Sequence, residues 1–273
     1  MARPPAPPKA RSKGRSKPRV QAPTPRPATG RGLNQRRYVI IAAVAFLAIG
    51  GLIAASILST RDSGSPSPGG GDVTAGTALP GAPDVNRLLK GIPQAGAVLG
   101  RPDAPVTLVE YVDPQCPFCA QFATQAFPDL VSQYVRTGDV KVEFRGIPII
   151  GPDSVGGLEA IYAAGEQDRL WNMSELTFMN QGTENTGWLD EDFVRAAAGS
   201  IPGLDVDRLM TERSSDAVSR QLEQAASQAR TAGVSGTPTF QVGKSGAALG
   251  EPFNVRADSI DDLASHIDPL LGR

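Results

Sequence analysis

The only two cysteines of the 273-residue chain stand three positions apart, as Cys116-Pro117-Phe118-Cys119. Paired thiols at this spacing allow three chemistries. A zinc site needs about four ligands, and the one histidine, His266, is remote in sequence, so no metal centre is expected. A structural disulfide closing so short a loop constrains the unfolded chain little, although it is permitted in an oxidising compartment. A redox dithiol suits the local pattern best. The pair follows a strand-like segment and opens a helix-like one, which puts Cys116 at a helix N-terminus, where unpaired N–H groups and the helix dipole stabilise a thiolate. Pro117 fits the first helical turn, where its missing N–H costs nothing.

The elements that must hold this pair are legible on either side of it. Thr107 to Val112 is alternating and β-branched and predicts a strand, with a shorter strand at Gly96 to Leu99. Cys119 to Val135 predicts a helix kinked at Pro128, and Val140 to Phe144 a further strand. Gly156 to about Arg230 is helical in character, ending in a helix whose Val218, Leu222, Ala225, Ala226 and Ala229 share one face. Thr239 to Val242 returns to strand. Ser259 to Leu271 predicts a last amphipathic helix opened by a Ser259/Asp262 capping box. Strand, helix, strand, a long helical stretch, strand and helix together describe an α/β domain with an all-helical insertion at about 150–232.

Outside that domain the charges separate sharply. The net charge of −1, from 27 basic and 28 acidic groups, is the sum of two opposed blocks. Residues 1–37 carry eleven Lys/Arg, eight prolines and no acid, leaving 16 basic against 28 acidic groups beyond them. Such a composition predicts a disordered basic tail, able to meet anionic lipid headgroups. With no aromatic before Tyr38, no nucleic-acid partner is expected. Residues 38–58 are 21 positions without a charge, which as a helix span roughly 31 Å, about the thickness of a bilayer core. A cleaved signal peptide is the rival reading, but its apolar core is usually only about 7–15 residues long. The basic flank puts residues 1–37 in the cytoplasm and the rest outside, so the expectation is a single-pass anchor in the cell membrane with an extracytoplasmic domain. A Ser/Gly/Pro-rich flexible linker is expected over 59–91, and the domain itself over 92–273.

The stretch Gly100-Arg-Pro-Asp-Ala-Pro-Val-Thr-Leu-Val-Glu-Tyr-Val-Asp-Pro-Gln-Cys-Pro-Phe-Cys119, with Gly236-Thr237-Pro238-Thr239-Phe240 before the penultimate strand, resembles the DsbA-like branch of the thioredoxin superfamily. That branch includes membrane-anchored members of actinobacterial type. The resemblance covers about residues 92–273 and implies a thioredoxin fold with an inserted helical subdomain, acting as a thiol–disulfide oxidoreductase without cofactor. It implies that Cys116 is the partly exposed nucleophile and that Cys119 resolves its mixed disulfides. It makes Pro238 a cis-proline and the backbone of Thr237 the edge on which client protein pairs, with Pro117 and Phe118 beside it. The implied partners are secreted proteins that are unfolded or still folding, and a membrane quinone-linked thiol oxidase that recharges the pair.

Glu110 shares the strand face of Val106, Leu108 and Val112, opposite Thr107, Val109 and Tyr111. An acid on an apolar face is costly without a task, unless that end of the strand is solvated. The resemblance implies the task, since members often keep a buried acid six residues before the first cysteine, where it shuttles the proton of the second. Asp113 is expected to cap or orient the active-site turn. Phe118 departs from the strongest oxidants of the branch, which often place His between the cysteines. Losing one charge-assisted contact of about 1.5–3 kcal/mol predicts an oxidant of intermediate strength. A reductase or isomerase of the same fold, and a non-catalytic peptide-binding module, are the alternatives.

Overall fold

The computed structural model describes residues 78–273. The expected basic tail and membrane helix, and the linker as far as residue 77, lie outside the described residues. Among the described residues no helix is long and apolar enough to cross a membrane.

The linker ends earlier than expected. Instead of running to residue 91, it gives way to helix α1, Ala82–Leu89, which is part of the domain. Its Val85 and Leu89 are buried, as are Leu79 and Ile92 on either side. The Gly/Pro-rich composition concealed a short amphipathic turn pattern, with Pro83 in the first turn where proline is tolerated.

A five-stranded mixed sheet follows, in the order β1-β2-β4-β3-β5. The strands are β1, Gln94–Ala95; β2, Val98–Leu99; β3, Val106–Val112; β4, Val140–Gly146; and β5, Thr239–Lys244. The central strand β3 runs parallel to β4 and antiparallel to β5, with Glu110 in register with Phe144 on one side and Phe240 on the other. Parallel pairing of β3 and β4 requires a crossover. Helix α2, Pro117–Gln125, and the short α3, Phe127–Leu130, provide it, closed by a π-turn at Val131–Val135. The single kinked helix expected here is therefore broken at Ala126, because Pro128 has no N–H to continue the ladder.

Between β4 and β5 lie α4, Pro152–Gly165; α5, Leu170–Met179; α6, Glu191–Gly199; α7, Val206–Glu212; and α8, Asp216–Ala232. The insertion expected over about 150–232 divides in two. Helices α4 to α7 form the added lobe, whereas α8 returns to the sheet. There its Ala229 packs with Val109, Tyr111 and Ile147 on the face away from the cysteines. On that face the Arg145 guanidinium lies over the Tyr111 ring, 5.4 Å from its centre.

The main core fills the other face. Val106, Leu108 and Val112 meet the inner side of α2 and the insertion. Phe122 packs on Phe240 at 4.9 Å, and Phe127 stacks on Trp171 at 5.5 Å. Burying each such ring stabilises the fold by about 1.5–3 kcal/mol. Helix α5 runs through the middle, with every side chain from Leu170 to Phe178 buried.

The last helix, α9, Asp261–Leu271, starts two residues later than expected and is capped differently. Ser259 Oγ accepts from Asp261 N, while Asp262 Oδ2 accepts from Arg256 N across the preceding turn. The reciprocal capping box is therefore absent. Exposed His266 on α9 stacks on Phe253 with ring centres 3.7 Å apart.

Candidate active site

Cys116 is the N-cap of α2, with extended backbone angles, φ −72° and ψ 118°. Its sulfur does what an oxygen usually does at that position and accepts from Cys119 N at 3.4 Å. Both cysteines are free thiols in this structure. Their environments differ sharply. Hydrogen bonding from the Cys119 thiol, aided by Thr237 and the helix N–H groups, outweighs burial and lowers the Cys116 thiol from 9.0 to about 6. Burial, and then the neighbouring Cys116 sulfur, push Cys119 well above 9.0. One sulfur is set up to be a thiolate and the other to hold its proton.

The Thr237–Pro238 peptide is cis, as the resemblance implied. The loop it forms faces the cysteines, with the Cys116 thiol donating to Thr237 O at 3.2 Å. Thr237 is half-buried and Pro238 buried, while Pro117 is exposed. Phe118 is 63% exposed. The partly exposed Cys116 of the sequence reading is corrected: the residue retains 3% exposure. The cis-proline loop lies over its thiol, and the Gln181 amide lies over its carbonyl.

Glu110 reaches the core face as its register required and is 4% exposed, so the solvated alternative fails. Burial pushes its carboxyl from 4.5 to about 8. It is therefore mostly neutral at pH 7 and able to give or take a proton near that pH.

Asp113 does more than the expected capping. Fully buried, its carboxyl accepts from Gln115 N at 2.8 Å, Ile149 N at 2.8 Å, Ile150 N at 2.9 Å and Ser154 Oγ at 2.6 Å. Its own carbonyl accepts from Cys116 N at 2.9 Å. The active-site turn is thereby tied to the loop after β4 and the first turn of α4.

Three further polar residues went unnoticed in the sequence. Gln181, just beyond α5, donates to Pro114 O at 2.9 Å and Cys116 O at 3.0 Å. The Gln115 amide donates to Ser154 Oγ at 2.9 Å and accepts from Asn185 N at 2.6 Å. The third is Glu175, 4% exposed on α5. Gln181 and Gln115 carry no local signal, because their partners lie far along the chain. Glu175 did carry one, an acid within the apolar run Leu170–Met179, the same reasoning that found Glu110.

The opposed thiols imply a pH dependence. Between about pH 6 and pH 9 the folded dithiol binds fewer protons at Cys116 than the unfolded chain does. The stability Cys116 adds to the reduced over the oxidised protein is therefore complete above about pH 9 and is lost as pH falls through about 6. The limiting slope is about 1.4 kcal/mol per pH unit. Melting curves of both forms should show the reduced protein gaining on the oxidised one as pH rises from about 6 to about 9. A constant gap would contradict the assignment.

A mixed sheet with a C-x-x-C pair capping the helix after its central strand, faced by a cis-proline loop, defines a thioredoxin-fold dithiol protein. Comparison with known proteins agrees. A family model described as thioredoxin matches residues 94–252. A probable disulfide bond formation protein D of Bacillus cereus is 30% identical over 148 residues, which are 53% of this chain and 68% of that protein. In fold, the chain is similar to oxidised BdbD of Bacillus subtilis, with a TM-score of 0.57, 24% identity, and coverage of 67% of this chain and 98% of the other. It is also similar to α-DsbA1 of Wolbachia pipientis, with a TM-score of 0.56, 20% identity, and coverage of 69% and 96%. The chain belongs to the thioredoxin family, on its DsbA-like branch of thiol–disulfide oxidoreductases.

Proposed function

We propose that the protein works in the oxidising direction, passing a Cys116–Cys119 disulfide to secreted proteins that are still folding outside the cytoplasm. The observation that carries this reading is the contrast between the two sulfurs. A protein that stabilises Cys116 as thiolate stabilises its own reduced form, and so gives its disulfide away readily. In the forward reaction a client thiolate attacks Cys116 Sγ, the Cys116–Cys119 bond breaks, and Cys119 leaves with the electron pair and takes up a proton. A second client thiolate then attacks the client sulfur of the mixed disulfide and expels Cys116 as a thiolate. The client loses two electrons and the pair gains them.

Glu110 would supply the proton to Cys119 through a water, and later accept it during recharging. Thr237 and Pro238 would align an extended client segment, with exposed Phe118 and Ile149 offering apolar contact. Residues 38–58 would anchor the protein, with its N-terminus in the cytoplasm, next to a quinone-linked membrane oxidase that restores the disulfide. Trapping cellular thiols with an alkylating agent tests the direction. The pair should be found mostly as disulfide in the membrane fraction, and a predominantly dithiol pair would favour a reductase.

A further inference from the structure

A proton moved by buried Glu110 needs a route to solvent. Glu110 is buried on the core face of β3, in register with Phe144 on one neighbouring strand and Phe240 on the other. Phe122 closes on Phe240 from above. On α5, Trp171 packs its edge against Phe144, ring centres 5.9 Å apart. Glu175 lies four residues further along the same helix and therefore on the same face. It is 96% buried by accessible surface, being 4% exposed.

Glu175 also forms part of the wall of a cavity of about 300 Å³. Val85 and Leu88 of α1, Ala123 and Thr124 of α2, Pro128 and Met179 make most of the rest. Ala123 is one turn beyond Cys119 on the inner side of α2, about 6 Å along the helix axis. The cavity opens at a rim where Asp84 and Arg87 pair with each other at 3.0 Å, both exposed. Helix α2 brings only the uncharged Ala123 and Thr124 to the cavity wall. Burial first, and then the neighbouring carboxyl of Glu110, hold the Glu175 carboxyl well above 4.5.

We infer that Glu175 is the second member of a two-carboxyl relay. It passes protons between Glu110 and the cavity beside α1, so that the proton of Cys119 enters and leaves away from the client-binding surface. The inference rests on the proton role proposed for Glu110. When the Cys116–Cys119 bond breaks, the Cys119 thiolate takes the proton of Glu110, the Glu110 carboxylate takes that of Glu175, and Glu175 recovers one from cavity water. During recharging each transfer reverses. No electron moves along this path. Glu175 touches no sulfur and acts only through Glu110, so it is a positioning residue rather than a catalytic one.

The test follows the step in which Cys119 must lose its proton. Full-length reduced protein is mixed with excess glutathione disulfide, and conversion of the Cys116 mixed disulfide to the internal disulfide is timed from about pH 5 to about pH 9. Glu175→Gln is expected to slow conversion about tenfold at neutral pH, a single link's share of general acid–base catalysis. The thiolate absorbance of Cys116 should still titrate near 6. Glu175→Ala, which enlarges the cavity, should be slowed similarly and regain most of its rate on addition of formate. A wild-type rate in Glu175→Gln alongside a slow Glu110→Gln overturns the relay and leaves the Glu110 role standing. Wild-type rates in both overturn both readings. A slow Glu175→Ala that formate does not restore also overturns the relay, because Glu175 would then serve packing alone.

Discussion

Cys116→Ser is expected to fold normally and to lose thiol oxidation by roughly 10⁴-fold or more, the scale on which removal of a sole nucleophile acts. Serine keeps the size of the side chain and can still cap α2, so the loss would report chemistry rather than structure. Cys119→Ser should behave in the opposite way. With Cys116 still present as the attacking sulfur and no Cys119 to expel the client, a Cys116–client disulfide should accumulate and be visible on non-reducing gels. Oxidation that continues in Cys116→Ser would instead favour the peptide-binding module, and would detach the activity from the pair altogether.

Asp113→Ala should have the largest effect on stability. The substitution takes the acceptor from Gln115 N, Ile149 N, Ile150 N and Ser154 Oγ together. A buried donor left without a partner costs about 1–3 kcal/mol. Ile149 and Ile150 stand close enough to solvent for water to replace part of theirs. The expected loss is about 3 kcal/mol, lowering the melting temperature by roughly 10 °C in a domain of this size. Asp113→Asn keeps acceptor oxygen on one side only and should cost about half as much. A melting temperature unchanged in Asp113→Ala would mean that the turn before Cys116 is held by the Gln115 and Gln181 contacts alone.

Most of the path from residues to chemistry could be read before the structure, because it is local. The strand over 106–112, the C-x-x-C pair at the head of a helix, and the Thr237-Pro238 loop before a strand each lie within a few residues of the signal that reveals them. Glu110 was found because period-2 alternation assigns each strand residue a face without reference to the rest of the fold. The residues that fix the active-site turn were not visible in this way. Asp113 and Gln115 bind residues about 35–70 positions away, and Gln181 reaches back 65 and 67 positions to the carbonyls of Cys116 and Pro114. Only the tertiary fold brings these together. Burial of Cys116 was missed for the same reason, since what covers it comes from Thr237 and Gln181. The early start of the domain at α1 was masked by composition: glycine and proline suggested tether, while Val85 and Leu89 were already spaced to meet the core.

The helical lobe shows the same limit. Its amphipathic periodicity revealed helices but could not separate α8, which returns to the sheet, from the four that build the lobe. That distinction depends on which surface each apolar stripe meets, and Ala229 meets Val109 and Tyr111 only in three dimensions.

Working in the oxidising direction as proposed, with opposed environments at Cys116 and Cys119, this protein would be an oxidant of intermediate strength. Its equilibrium reduction potential, measured against glutathione at pH 7, tests that most directly. The expected value falls between about −120 mV, the strongly oxidising end for this fold, and about −270 mV, the reducing end. A potential at or below about −270 mV would contradict the claim.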